Sequence, residues 1–180
     1  TSANPGAKTE FEKALPPTQV KMETAKAARS SGKASIPALE LAWRICTTAE
    51  SAMNAAKKSE AWTQARAALA GLDAAADKFN ALCGKWTEFE TFYTEPMQQV
   101  VARAGKLAAE ALPQFEAEAK AVADLHGAAL TSMATGDFAK AKEQILQLKI
   151  LADALEKKDS ALGSKAEAKG MSLRDMLTEA

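Results

Sequence analysis

The chain has 180 residues, 47% of them hydrophobic but only 6% aromatic, and its 23 basic and 23 acidic residues give a formal net charge of zero. A chain of this length can bury a sizeable core, in one domain or in two small ones. The balanced charge argues against nucleic acid and anionic membranes as partners, because both attract concentrated positive charge, and no apolar run reaches the roughly 18 residues of a transmembrane helix.

The low aromatic content means that much of the apolar fraction is alanine, the strongest helix former, so closely packed helices are expected. Residues 1–17 are predicted to be an entry segment, because the adjacent Pro16 and Pro17 should stop any earlier helix. A helix over residues 18–29 follows and ends in a serine–glycine cluster.

The next two predicted helices form a hairpin. The first has Ser35 as its cap and Pro37 in its first turn, and the second runs to Thr94, shortly before Pro96. Apolar residues recur at spacings of three and four along both helices, which indicates one buried face on each. The members of these faces are Leu39, Trp43, Cys46, Met53 and Ala56, then Trp62, Ala65, Leu69, Leu72, Ala76, Phe79, Cys83 and Trp86.

The hairpin also decides the state of the two cysteines. Cys46 should lie opposite about position 72. Cys83 is then roughly 16 Å further along the helix, beyond the reach of a disulfide. Two buried, reduced thiols are predicted. They favour a cytoplasmic location, with export as part of a larger chain as the alternative.

The same cycle of elements then repeats. A helix is predicted over residues 97–111, a second opens at Pro113, Gly136 and Asp137 form a turn and cap, and a last helix covers residues 138–162. Residues 163–180 are predicted to be a polar linker followed by a C-terminal amphipathic segment.

Two stretches of the chain are nearly the same: SEAWTQARAALAGLDAAAD at 59–77 and TGDFAKAKEQILQLKILAD at 135–153. We therefore predict an all-α fold, an antiparallel helical bundle of two tandem three-helix units related by an internal duplication of about 76 residues. The units are expected at residues 18–94 and 95–162.

Catalytic and ligand signatures are few. His126 is the single histidine, whereas di-iron, zinc and Ser–His–Asp sites need more ligands or partners than it can supply. We interpret it as a half-solvated residue at the edge of an apolar face. No glycine-rich phosphate-binding motif occurs, so we predict no enzyme activity, no metal and no cofactor.

Aromatic residues cluster at the end of the third predicted helix, whereas the matching span 162–169 has none. The cluster is either core at the junction of the units or a hot spot for a protein partner, since Trp and Tyr are enriched at such sites. Apolar residues of the C-terminal segment are further candidate contacts. The predicted partner-binding residues are Trp86, Phe89, Phe92, Tyr93, Met171, Leu173, Met176 and Leu177.

The chain resembles the alanine-rich α-helical repeat modules of large bacterial secreted or toxin-like proteins. The residues that carry the resemblance are Phe115 in a Phe-led helix, Gly136-Asp137-Phe138 with Ala141, Ile145 and Leu148, and Trp62 with Ala65, Arg66, Leu69 and Leu72. This resemblance implies scaffolding or protein contact rather than catalysis. We therefore expect a non-catalytic interaction or scaffold module within a larger bacterial protein or assembly, with a protein partner. The alternative is a sensor or carrier bundle that holds an apolar small molecule between its helices.

Overall fold

The computed structural model describes residues 5–31 and 36–168. Within these ranges the chain forms six α-helices and one 3₁₀ turn, with no β-strand, which confirms the predicted all-α fold. The helices are α1 (Pro5–Ser30), α2 (Pro37–Lys58), α3 (Trp62–Phe92), α4 (Glu95–Glu110), α5 (Glu116–Thr135) and α6 (Phe138–Ala168), and the 3₁₀ turn is Pro113–Phe115.

The helices group into two compact units. The first contains the described residues up to Glu88 together with Ala134–Gly136, and the second contains Phe89–Met133 and the described residues from Asp137 onward. The division therefore falls inside α3, whereas the sequence placed it after Thr94. Residues 5–17 also belong to the first unit rather than to a separate entry segment.

The prediction that Pro16 and Pro17 separate two elements is wrong, because both lie inside the continuous helix α1. They remove two backbone donors, so the carbonyls one turn earlier, at Glu12 and Lys13, lose their helical partners. Those residues and both prolines are exposed, which lets water solvate the carbonyls. Burial of Phe11, only 1% exposed, holds the N-terminal half of the helix in place.

The first unit has a continuous apolar core between α1, α2 and the start of α3. Cys46 is fully buried, as predicted, and burial raises the pKa of its thiol. Cys83 is only half-buried, which corrects the prediction of two buried thiols, and neither cysteine forms a disulfide. The core residues are Phe11, Met22, Ala25, Leu39, Cys46, Met53, Ala65, Leu69, Leu72, Ala75, Ala76 and Phe79.

A polar group joins α1 to α3 beside this core. The Lys21 ammonium lies 2.8 Å from Asp73 and 2.7 Å from Asp77, and the buried Thr18 hydroxyl donates to Asp73 at 2.9 Å. The hydrogen bond from Lys21 is the main cause that lowers the pKa of Asp73. These contacts fix the position of α1 along α3. Because Lys21 pairs with two aspartates one helical turn apart, a shift of α1 along α3 would break at least one ion pair.

The second unit has its own core, in which α4 packs against α6. Arg103 of α4 pairs with Asp153 and with Glu156, the latter at 2.9 Å. Hydrogen bonds from Lys149 and then Arg103 lower the pKa of Asp153. The buried apolar residues of α4, α5 and α6 are Val100, Val101, Ala104, Ala119, Val122, Ala129, Phe138, Ala141, Ile145, Leu148, Ala152 and Leu155.

Helix α6 is longer than predicted. It continues to Ala168, through residues 163–168 that the sequence assigned to the linker. All but one of those residues are Ser, Lys, Ala or Glu, of which the last three are strong helix formers, and one glycine costs a helix only about 1 kcal/mol. The rest of the predicted linker and the C-terminal segment lie outside the described residues.

Landmarks of the two units recur at one constant offset along the chain. In each hairpin the turn has a left-handed residue, and the residue after it donates its backbone N–H to a carbonyl five positions earlier. We call positions that are separated by this offset equivalent. The landmarks are Pro37 and Pro113 at the start of the second helix, Glu60 and Gly136 in the turn, and Trp62 and Phe138 at the start of the third.

Candidate protein-interaction surface

The four aromatic residues that the sequence grouped together fall into different units. Trp86 is half-buried and packs against the core of the first unit. Phe89, Phe92 and Tyr93 belong to the second unit. Trp86 thus contributes to the first-unit core, and its contact with a partner stays a prediction.

Phe89 is the centre of the second-unit aromatic cluster and is only 3% exposed. Its ring stacks on Tyr93 at 5.3 Å and on Phe138 at 5.4 Å, and it meets Phe92 at 5.9 Å. Aromatic pairs at these separations stabilise a core beyond the area that they bury. Phe89 is therefore a core residue, which corrects its assignment as a partner contact.

The cluster also has a counterpart in the first unit, which the sequence comparison missed. Phe11 of α1 lies 5.8 Å from Trp62, the first residue of α3, just as Phe89 lies on Phe138, the first residue of α6. In both cases, a phenylalanine packs on the aromatic residue that begins the second helix of a hairpin, which is Trp62 in α3 and Phe138 in α6. The end of α3 thus does for the second unit what the N-terminal half of α1 does for the first.

Phe92 and Tyr93 remain half-buried at the edge of this cluster. The Lys142 ammonium lies over the Phe92 ring, 5.3 Å from its centroid. This separation is within the range of a cation–π contact. Burial raises the pKa of the Tyr93 phenol, so the phenol stays neutral at physiological pH. The part of each ring that is not buried is available to a partner.

From Lys142 a row of exposed side chains continues along α6 at a spacing of four. Leu146 is 45% exposed and Ile150 is 68% exposed. The buried residues Ile145 and Leu148 face the core, and at about 100° per residue Leu146 and Ile150 point away from it. From Lys142 to Ile150 the row is about 12 Å long. We call Phe92, Tyr93, Lys142, Leu146 and Ile150 the aromatic–aliphatic surface.

The fold itself does not require aliphatic residues in this row. The equivalent positions in the first unit are Ala70 and Ala74, both of which are exposed. Alanine is the best residue for an exposed helical position, whereas β-branched Ile loses side-chain freedom there. Ile150, and to a smaller degree Leu146, therefore lowers the helix propensity of α6 relative to alanine, whereas contact with another surface would make both side chains favourable.

The first unit has an exposed aliphatic pair of its own, on α2. Leu41 is 60% exposed and Ile45 is 53% exposed. Their equivalents in the second unit, Ala117 and Ala121, are again exposed alanines. The sequence analysis did not predict either exposed pair, Leu146 and Ile150 or Leu41 and Ile45. Both pairs could have been recognised because they lie off the regular apolar face of their helix.

Two clefts of the described residues have charged side chains in their lining. One of about 190 Å³ lies along α1 and α2, where Lys26 and Glu50 form an ion pair at 2.7 Å. Another of about 240 Å³ in the second unit has Arg103, Lys149 and Asp153 in its lining. Both are surface clefts with charged side chains, unlike the enclosed apolar cavity that the small-molecule alternative predicts.

His126 is half-buried on α5, as the sequence predicted. Its imidazole lies against Gly105 of α4, where a Cβ would come within 3.2 Å of the ring. Glycine at this position lets the two helices approach around the ring. His126 thus has a packing role inside the second unit.

No group of three or more His, Cys, Asp or Glu residues in residues 5–31 and 36–168 is arranged to hold a metal ion. Across the same residues, no helix combines the length and the hydropathy needed to cross a membrane. The predicted contacts Met171, Leu173, Met176 and Leu177 lie outside the described residues.

The fold and the surface define an all-α protein of two helical units, with exposed aliphatic side chains on both. Comparison with protein-family models, with characterised proteins and with solved structures found no match.

Proposed function

We propose that the protein is a non-catalytic helical protein-interaction module and that the aromatic–aliphatic surface binds a protein partner. The observation that carries this proposal is the exposure of Leu146 and Ile150 at positions where the first unit has alanine. Burial of one such side chain against a partner contributes about 1.5–3 kcal/mol.

The composition of the surface supports a protein as the partner. It combines the half-buried rings of Phe92 and Tyr93 with an aliphatic row, and aromatic residues are enriched at interface centres. Exposed polar residues such as Glu143 and Gln147 border the row on α6. An apolar centre within a polar rim is the usual arrangement of a protein–protein interface.

The internal symmetry supports the same class of function. We infer that the two units are tandem duplicates, on the basis of the landmarks that recur at a constant offset. Duplicated helical units commonly form extended binding surfaces. Membership in a larger bacterial protein or assembly is proposed from the resemblance of the sequence motifs.

The test compares the wild type with Leu146→Ala/Ile150→Ala, which converts the row to the residues of the first unit. Each protein is immobilised and exposed to native extract of the source organism, and a partner retained by the wild type is purified. Its dissociation constant is then measured by calorimetry. We expect binding at least about tenfold weaker in the double variant, because two contacting aliphatic side chains are lost.

Two controls keep the result specific. Val20→Ala removes another side chain that is 62% exposed but lies on α1 in the first unit, and Gln147→Ala changes a polar neighbour on α6. Both should bind like the wild type, and the thermal unfolding midpoint of every variant should stay close to that of the wild type. Equal affinity of the double variant and the wild type would contradict the proposed surface.

A further inference from the structure

The second unit has an open apolar cleft near the end of its hairpin. The cleft has a volume of about 390 Å³ and lies where the 3₁₀ turn faces the later part of α6. Phe115 and Leu162 are both half-buried there. The residues that line it are Gln114, Phe115, Lys158, Ala161 and Leu162.

The equivalent place in the first unit is filled. Leu39, the equivalent of Phe115, is fully buried, and Leu82 and Trp86, the equivalents of Lys158 and Leu162, pack against the first-unit core. The second unit therefore has leucine in place of tryptophan and a lysine in place of leucine. Lys158 turns its ammonium to Glu118, so its charged end does not fill the apolar space.

A segment of the same chain has the composition and the position to fill this space. Residues 169–180 lie outside the described residues and follow directly on α6. Gly170 is suited to a reversal of the chain, and the segment then supplies Met171, Leu173, Met176 and Leu177. Methionine adapts well to irregular apolar spaces.

The chain length fits this contact. Because the rise per residue is the same in two antiparallel helical segments, a segment that turned back at Gly170 would bring Leu177 level with residue 163 of α6. Met176 and Leu177 would then lie beside Leu162, at the edge of the cleft. As a helix, the segment would extend back only to about residue 160, short of the row at Leu146 and Ile150.

We propose that residues 171–177 bind intramolecularly in the cleft formed by Phe115, Ala161 and Leu162, and that Met176 and Leu177 take the place that Trp86 and Leu82 fill in the first unit. The C-terminal segment is then part of the fold of the second unit rather than a contact for a foreign protein. This reverses the role that the sequence suggested for Met171, Leu173, Met176 and Leu177.

The test is hydrogen exchange measured by mass spectrometry on the full-length chain and on Met176→Asp/Leu177→Asp. The charged side chains should be excluded from the apolar cleft, so peptides covering residues 113–118 and 157–165 should exchange about tenfold faster in the variant. Exchange in α2 should not change. Arg174→Ala alters a polar residue of the same segment and should behave like the wild type.

A second experiment separates docking from fraying of the helix end. A chain that ends at residue 168 should show the same fast exchange in the two peptides, and a synthetic peptide of residues 169–180 should restore protection. A peptide with the two aspartates should not. Unchanged exchange in the double variant, or protection of the full-length chain that disappears on dilution, would overturn the proposal, because the latter would show docking onto a second copy.

Discussion

At the scale of single residues, Glu60 is the clearest departure from local preference. It has a φ of 55°, in the left-handed region that disfavours residues with a Cβ. It occupies the position after α2 where the backbone donates from Glu60 to Lys57 and from Ala61 to Ala56, a motif that normally has glycine in this place. The equivalent residue after α5 is Gly136, with a φ of 82°.

We predict that Glu60→Gly raises the free energy of unfolding by about 0.5–1 kcal/mol, because glycine removes the strain of the left-handed conformation. This gain should exceed the destabilisation that comes from the greater conformational entropy of glycine in the unfolded chain. Urea denaturation followed by circular dichroism measures the change. Gly136→Ala is the opposite substitution and should lower stability by more than about 1 kcal/mol, because its Cβ would also come within 2.9 Å of the Leu82 side chain. A less stable Glu60→Gly variant would show that the glutamate side chain contributes a contact that outweighs the strain.

At the scale of elements, the sequence predicted the hairpin helices α2, α3, α5 and α6 because their apolar residues recur with helical spacing and their turns have clear signals. It failed for α1, since local rules treat two adjacent prolines as a stop. The burial of Ala7 and Phe11 on the far side of the prolines outweighs that local cost. Contacts of this kind depend on α3, which lies far along the chain, and cannot be read from a local window.

The prolines of α1 give the second prediction of stability. An interior proline costs a helix about 3 kcal/mol relative to alanine, although part of this is regained because proline stiffens the unfolded chain. Pro16→Ala/Pro17→Ala should therefore raise the free energy of unfolding by about 2 kcal/mol or more, measured by urea denaturation.

The control for this prediction is Pro37→Ala, which changes a proline in the first turn of α2. Proline is well tolerated there, so the change in the free energy of unfolding should stay within about 0.5 kcal/mol. A loss of stability in the double variant would be incompatible with a continuous helix α1.

The candidate site shows the same limit at a larger scale. The sequence predicted Phe92 and Tyr93 as partner contacts because aromatic residues cluster there. In the structure both are half-buried beside the exposed row of α6. The sequence could not separate Phe89 from them, because the burial of Phe89 depends on Phe138, which comes much later in the chain. Leu146 and Ile150 were missed since a local pattern does not show which apolar residues remain without a neighbour.

For the whole molecule, the matching roles of Phe11 and Phe89 lead to a prediction about cooperativity. Each ring is buried in a different unit, and truncation of a buried phenylalanine to alanine costs about 3–5 kcal/mol. Phe11→Ala should therefore weaken mainly the first unit, and Phe89→Ala mainly the second. If the two cores unfold separately, each variant should lose one unit before the other.

The chain provides a probe for this, because all three tryptophans, Trp43, Trp62 and Trp86, lie in the first unit. Tryptophan fluorescence therefore reports on that unit, whereas circular dichroism reports on helices in both. In urea, Phe89→Ala should lose a large part of its circular dichroism before its fluorescence changes, because the second unit unfolds first. Phe11→Ala should show the fluorescence change in the earlier step, with helical signal remaining. Coincident transitions in both variants would mean that α3, which is continuous across the division at Glu88, couples the two cores into one cooperative structure.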